Sequence, residues 1–420
     1  MNQTNKGSAL IIGGGIAGLC SAYYLLKDGW KVTLLDSGDL RDNCSYGNAG
    51  MLVPSHFTPL AAPGIVAQGI KWMFNSKSPF YVRPSLSTHL ISWGFKFIKH
   101  ANAAHVKRTA PSIRDLNLLS SHLYDEMAEG EDFAFELQHK GILMLYKTEK
   151  MVEEEIHLAE TARSLGLDVE TLSKEGVQQL EPNVKLDVLG AVHYRCDGHL
   201  YPQALMAQLI AYIRKKGAII HEHTAVTGFE YDQEKLQAVI AGGQKFNADK
   251  FVMTGGAWLP EIAKRAGLRI PLMPGKGYSF MYKPTEHQLV HPSLLLEARV
   301  AVTPMNNHIR FGGTMELGAL NNSINMNRVQ GIVEAIPQYY PDLKVALPEK
   351  KDVWFGFRPC SPDGLPYLGY SKRLKNLIIA GGGGMMGLSL GPAYGKVVSE
   401  LANEQLSSAD IAQFSPERFT

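Results

Sequence analysis

Near the start of the chain an apolar run, Ala9-Leu10-Ile11-Ile12, breaks into Gly13-Gly14-Gly15-Ile16-Ala17-Gly18 and a helix-like stretch that lasts to Leu26. A second apolar run, Val32-Thr33-Leu34-Leu35, follows and ends on Asp36. Strand, glycine turn, helix, strand and acid in that order demand a parallel βαβ unit of the dinucleotide-binding kind. Gly13 permits the tight turn, Gly15 lets backbone amides approach a pyrophosphate, and Gly18 lets the helix sit close on the sheet. The helix N-terminus offers unpaired N–H groups and the positive end of a dipole to the phosphates. Asp36 suits both hydroxyls of a ribose and repels a 2′-phosphate. Read locally, the unit specifies an adenine dinucleotide and not which one.

The rest of the composition narrows the class. A chain of 420 residues buries a large core and suggests two domains. The net charge of +2, with no Lys/Arg block, gives nucleic acid nothing to bind. Cys20, Cys44, Cys196 and Cys360 are scattered, which points to a reducing compartment without disulfides or a cysteine metal site. The first apolar run leads straight into the glycine turn, so it does not read as a removable signal, and no apolar run reaches the ~18 residues of a membrane span. The expected location is cytoplasmic. Two segments that mix aromatics with lysines, 70–74 and 91–98, suit either a core-facing helix with snorkelling lysines or a peripheral contact on the inner face of the inner membrane.

Further along, a helical region is expected from about Ser85 to Glu129, with an apolar stripe at Ile113, Leu116, Leu119, Leu123 and Met127. A strand over 141–146 and helices over 152–165 and 202–216 follow. His221 and His223 would share a face of a strand, but no third metal ligand lies near, so no metal site is expected. Short alternating runs between Tyr278 and Met315 predict an antiparallel sheet. Near the C-terminus a strand over 376–380 enters Gly381-Gly382-Gly383-Gly384, and a helix follows from about Leu388 to Ala402.

Only the N-terminal loop carries a complete fingerprint, so electrons come from a small substrate and not from a second, nicotinamide dinucleotide. The C-terminal glycine run selects flavin. It sets a helix end where a reduced flavin carries negative charge, a need a nicotinamide ring does not share.

Several motifs together resemble the bacterial D-amino-acid dehydrogenases of the D-amino-acid oxidase superfamily. They include Gly13 to Gly18, Ser45-Tyr46-Gly47-Asn48-Ala49-Gly50, Leu60-Ala61-Ala62-Pro63-Gly64 and Ile70-Lys71-Trp72-Met73-Phe74. Lys276-Gly277-Tyr278-Ser279, Arg299 to Thr303, Ile309 to Gly313, Gly356 to Gly364 and Gly382 to Gly387 continue the pattern in order along nearly the whole chain. The resemblance implies a Rossmann-type FAD domain (1–75, 150–182, 200–265 and 370–420) and a discontinuous antiparallel substrate domain (76–149, 183–199 and 266–369). The combined class is α/β plus α+β. The FAD contacts it implies, with those of the loop, are Gly13, Gly15, Ile16, Ala17, Gly18, Asp36 and Ser37, then Ser45, Asn48, Ala49, Gly50 and Leu52. Val226 at the adenine, Gly255, Trp258, Gly382, Gly384, Gly387 and Leu388 complete them. Two departures stand out: Asp36 replaces a frequent Glu, and Gly383 replaces a frequent His.

The activity so implied is oxidative deamination of D-amino acids, cyclic ones such as D-proline or hydroxyproline included, with electrons passed to a quinone-type acceptor. Such chemistry asks the protein chiefly for positioning, and a carboxylate held at a flavin needs an arginine. Within Phe357-Arg358-Pro359, Arg358 matches the family's carboxylate-binding arginine; its competing role is an ion pair with Asp363. Tyr278 is expected either to bond substrate or flavin or to be a structural aromatic at the domain seam. His56 either lines the substrate pocket or is structural, and Lys276 is a candidate positive charge near the ring. An amine oxidase acting on glycine or sarcosine with oxygen, and a flavin-binding subunit without turnover, are the alternative activities.

Overall fold

In the computed structural model the expected βαβ unit forms as strand Ser8–Ile12, helix Ile16–Lys27 and strand Lys31–Leu35. The structure describes residues 6–73, 75, 77–83, 87–286, 288–318 and 320–419. Phe74 and Ser85, which belong to two of the segments singled out above, lie outside the described residues.

The unit seeds a sheet in the order Tyr367–Tyr370, Leu377–Gly381, Lys250–Met253, Ser8–Ile12, Lys31–Leu35, Ile219–His221. All neighbours are parallel except the first pair. These strands are short apolar runs because both faces are covered, as parallel sheets require. Ala9 and Ile11 face one core with helices Ile16–Lys27, Pro202–Lys215 and Gly391–Ala402. Leu10 and Ile12 face another, under the hairpin sheet Val226–Asp232, Lys235–Ala241, Gln244–Asn247 and helix Leu259–Arg265. The first and last helices approach closely: a Cβ on Gly395 would stand 2.4 Å from the Cys20 carbonyl oxygen.

A second, largely antiparallel sheet runs Trp354–Cys360, Met273–Tyr282, His308–Leu317, Val300–Met305, Ser293–Leu295, Ile142–Tyr146, Gly190–Tyr194, Val169–Ser173, with Phe80–Val82 beside His308–Leu317. Helix Met326–Tyr339 covers one face through Val329, Ile332 and Ile336. Register decides what the other face carries. Arg358 pairs with Gly275, Gly356 with Gly277 and Trp354 with Ser279, so these share one face. Lys276 and Tyr278 pair with Phe357 and Phe355 and point the opposite way, as successive strand residues must.

Several expectations change. Segment 150–182, expected with the cofactor domain, contributes Val169–Ser173 to the second sheet, while Tyr367–Tyr370 joins the first. The long helical region is two helices, Thr88–His100 and Ala103–Glu129, because Asn102 caps the second by accepting from the His105 N–H at 3.0 Å. The His221 strand ends at His221, and His223 sits in a turn at φ +52°, so the two imidazoles do not share a strand face. Helix Thr88–His100 buries Trp93 against Phe97 yet leaves Ile91, Phe95 and Ile98 exposed at i, i+4 and i+7. Among the described residues no helix is long and apolar enough to cross a membrane.

Candidate active site

The glycine loop is built as its spacing demands. Gly13 has φ +107°, which favours glycine, and its N–H donates to the Leu35 carbonyl at 2.9 Å. A Cβ on Gly18 would lie 1.8 Å from the Gly13 oxygen, so only glycine lets the helix start this close to the turn. At Gly15 a Cβ would meet nothing nearer than Ser45 Oγ at 3.8 Å, because that side opens into a cavity. Gly15 caps the helix without a side-chain bond, and the Ile16 N–H reaches Ser45 Oγ at 3.2 Å. The Asp36 carboxylate accepts from the Gly14 N–H (2.6 Å) and the Gly38 N–H (2.7 Å), which fixes it at the mouth of the loop.

The cavity has a volume of about 680 Å³ and runs from this loop to the second sheet, within the usual size of a ligand cleft. Of the expected cofactor contacts, Gly13, Gly15, Ile16, Ala17, Asp36, Ser37, Ser45, Asn48 and Ala49 line it. So do Val226, Gly255, Trp258, Gly382, Gly384, Gly387 and Leu388. Three do not. Gly18 lies behind the loop, Gly50 makes a turn at φ +75° against the Leu200 carbonyl, and Leu52 is buried in a strand pair with Gly198.

The donor set fits a flavin dinucleotide. An uncapped helix end and a carboxylate stand at one end, and at the other a glycine wall where a Cβ on Gly384 or Gly387 would enter open space. A side chain at Gly383 would force its surroundings to move: a Cβ there would fall 2.6 Å from the Tyr394 hydroxyl, which is buried and, among the described residues, without a hydrogen-bond partner.

Arg358 reaches the cavity from the second sheet. Its Nη1 donates to the Thr314 carbonyl at 2.8 Å, and Gly277 leaves the space its guanidinium fills. Burial lowers its pKa, and no carboxylate pairs with it among the described residues. The alternative partner, Asp363, is held by Arg418 instead, at 2.7 and 2.9 Å. Thr314 itself sits at φ +65°, where a β-branched residue is strained, within an irregular stretch of strand pairing opposite Gly277. That local distortion turns its carbonyl onto Arg358.

Two expected contributors turn away. Tyr278 borders the cavity, but its hydroxyl donates to Glu316 Oε1 (3.0 Å) and accepts from the Asn325 N–H (3.2 Å), and burial raises its pKa. Its hydroxyl is thus engaged on the face opposite Arg358. The Lys276 ammonium is bonded to Asn321 Oδ1 and the Ser323 carbonyl (2.7 Å), not directed at the cavity. His56 does form part of the wall, with Ser55 and the buried Asp197 behind it. Residues that sequence reasoning passed over are Thr314, Asp197, Tyr394 and Arg299, all but Asp197 in the wall. Arg299 falls in a recognised motif; the others give no local signal.

Residues 8–401 match the family described as FAD dependent oxidoreductase. A D-amino acid dehydrogenase of Helicobacter pylori is 31% identical over 98% of this chain and 98% of its own length. A D-amino acid dehydrogenase of Granulibacter bethesdensis is 27% identical over 98% and 99%. Among solved structures, glycine oxidase from Geobacillus kaustophilus superposes with a TM-score of 0.78 at 23% identity, covering 99% of this chain and 100% of that one. L-proline dehydrogenase from P. horikoshii gives 0.77 at 19%, covering 99% and 98%. These structural likenesses establish the fold. The chain thus belongs to the FAD dependent oxidoreductase family, and FAD is its cofactor.

Proposed function

We propose that the chain oxidises the α-amine of D-amino acids, cyclic ones included, to imino acids that water hydrolyses to 2-oxo acids. The observation that carries this reading is Arg358, a partly buried guanidinium in the cavity wall with no carboxylate of its own among the described residues. An unpaired guanidinium taken partly out of water is costly unless a ligand completes it, and its planar fork matches a carboxylate. The names of the Helicobacter and Granulibacter relatives agree with that choice.

In this reading Gly13, Gly15, Ile16, Ala17 and Asp36 would hold the pyrophosphate and ribose, and Gly382, Gly384 and Gly387 would border the ring. FAD, when bound, supplies the acceptor for the hydride leaving the α-carbon. Arg358, set by Thr314 and Gly277, docks the substrate carboxylate. Leu294, Ala301 and Val53 give the wall apolar surface that keeps water away.

The acceptor we infer is a membrane quinone. Ile91, Phe95 and Ile98 form an exposed apolar row next to Lys96 and Lys99, and Ile70 is exposed on helix Ile65–Met73 beside Lys71. That second helix also borders the cavity through Ile65 and Trp72, so one element links a membrane-seeking surface to the site. Anaerobic bleaching of the bound flavin by a panel of D- and L-amino acids tests the proposal. Bleaching by D-amino acids, with reoxidation by a soluble quinone faster than by oxygen, is the expected result. Stoichiometric peroxide in air would overturn the quinone assignment, and a flavin left oxidised by every amino acid would overturn the activity.

A further inference from the structure

At neutral pH the amine of a free amino acid is protonated, since ordinary amines titrate well above 7. A protonated nitrogen has no lone pair to assist the departure of a neighbouring hydride, so oxidation needs a proton acceptor within reach. His56 borders the main cavity and also a side cavity of about 30 Å³ bounded by Gly382, Gly383, Cys360 and Ser361. Behind it stands a short hydrogen-bonded chain. His56 Nδ1 lies 3.2 Å from Ser55 Oγ, which donates to Asp197 Oδ2 at 2.5 Å, while the Ser55 N–H donates to Oδ1 at 2.9 Å. Asp197 is fully buried, and among the described residues no cation offsets its charge. Because the Ser55 proton is directed at Asp197, the serine oxygen accepts from the ring. That assigns the proton to Nδ1 and leaves Nε2 as the free base.

We propose that His56 accepts the proton of the substrate ammonium group and that Ser55 and Asp197 position the ring and receive that proton in turn. The inference rests on the amino-acid reading above. In the transfer the substrate N–H bond breaks and an Nε2–H bond forms. The Nδ1 proton then passes to Ser55 Oγ as the serine proton passes to Asp197 Oδ2, so the ring ends neutral and the carboxyl protonated. After product leaves, the proton returns to water by the reverse path.

The electrostatics favour that direction. Burial, helped by the charge of Arg299, lowers His56 to about 4. Burial raises Asp197 to about 7, against its two bonds from Ser55 and the Cys196 thiol, whose Sγ lies 3.6 Å from Oδ1. The proton therefore rests on the carboxyl and not on the imidazole. Asp197 must be ionised to receive it, so the path opens as pH rises through about 7.

Stopped-flow anaerobic flavin bleaching against pH tests the path in the holoenzyme, with His56→Asn and Ser55→Ala beside the wild type. Visible flavin absorbance checks that each variant keeps its cofactor. The wild-type rate is expected to fall as pH drops below about 7. Both variants should lose that inflection and instead follow the free amine of the substrate. At pH 7.5 they should be about 100-fold slower, as expected for a lost proton acceptor, with the gap closing near pH 10. Ser55→Ala keeps the imidazole, so its loss of the inflection separates the relay from simple loss of the ring. Wild-type profiles in both variants would overturn the relay and leave the amino-acid reading standing. A wild-type flavin bleached by no amino acid would overturn both.

Discussion

Arg418 grips Asp363 with two parallel hydrogen bonds, Nε to Oδ2 at 2.7 Å and Nη2 to Oδ1 at 2.9 Å. Both side chains are largely buried. Asp363 is thus spoken for by the C-terminal end of the chain, and Arg358 donates to the Thr314 carbonyl with no carboxylate partner among the described residues.

Replacing Arg358 by Met should raise KM for amino acids about 100-fold or more, in line with losing one partner of a desolvated charge pair. Flavin content should not change, because the loop and glycine wall are untouched. Steady-state kinetics with visible spectra make the check.

Gly277→Ala should reproduce part of that loss. The new Cβ would stand 2.0 Å from Arg358 Nη1, so the guanidinium must move. We expect KM to rise about 10-fold with kcat less affected, since misplacement weakens docking before it blocks chemistry.

Gly15→Val and Gly18→Ala should fail differently. Valine at 15 meets no protein atom closer than 3.8 Å at Cβ but projects into the cavity, so a folded, colourless protein is expected. Alanine at 18 collides with the Gly13 oxygen and should lower the thermal midpoint of the apoprotein itself. Melting curves with and without added FAD distinguish them.

Asp363→Asn should destabilise the fold in a pH-dependent way. Burial alone would raise the Asp363 carboxyl, but the Arg418 charge and bonds outweigh it and hold the pKa below the usual carboxylate value. The folded value is depressed, so its stabilisation is present above the unfolded pKa and is lost as pH falls through the folded one. The variant should be about 3 kcal/mol less stable at pH 7, the size seen when a buried pair loses a member. The difference should shrink in acid; denaturation curves at pH 7 and pH 3 measure it.

Phe95→Glu, on the exposed row of helix Thr88–His100, should weaken binding to anionic lipid vesicles several-fold while leaving turnover with a soluble dye unchanged. Flotation with vesicles reads the first and a dye assay the second.

The parts legible in the sequence were those set by local chemistry. Ser8 to Asp36 could be read residue by residue because turn, helix and strand each leave their own pattern. Arg358 and the C-terminal glycine run were likewise recognisable as motifs. What escaped depends on partners distant in sequence. Tyr278 was ambiguous until its pairing with Phe355 put it on the far face from Arg358. No local pattern joins Ser55 to Asp197, or Arg418 to Asp363. At His221 and His223, strand periodicity runs on past a turn that no local pattern announces.

In the proposed function, Arg358 selects a substrate by its carboxylate. Anaerobic flavin bleaching by D-proline and by D-prolinamide, in wild type and in Arg358→Met, tests it most directly. Wild type is expected to discriminate against the amide by about 100-fold or more, and the variant to treat the two alike, slowly. Equal bleaching by both compounds in wild type, or full discrimination retained without Arg358, would contradict it.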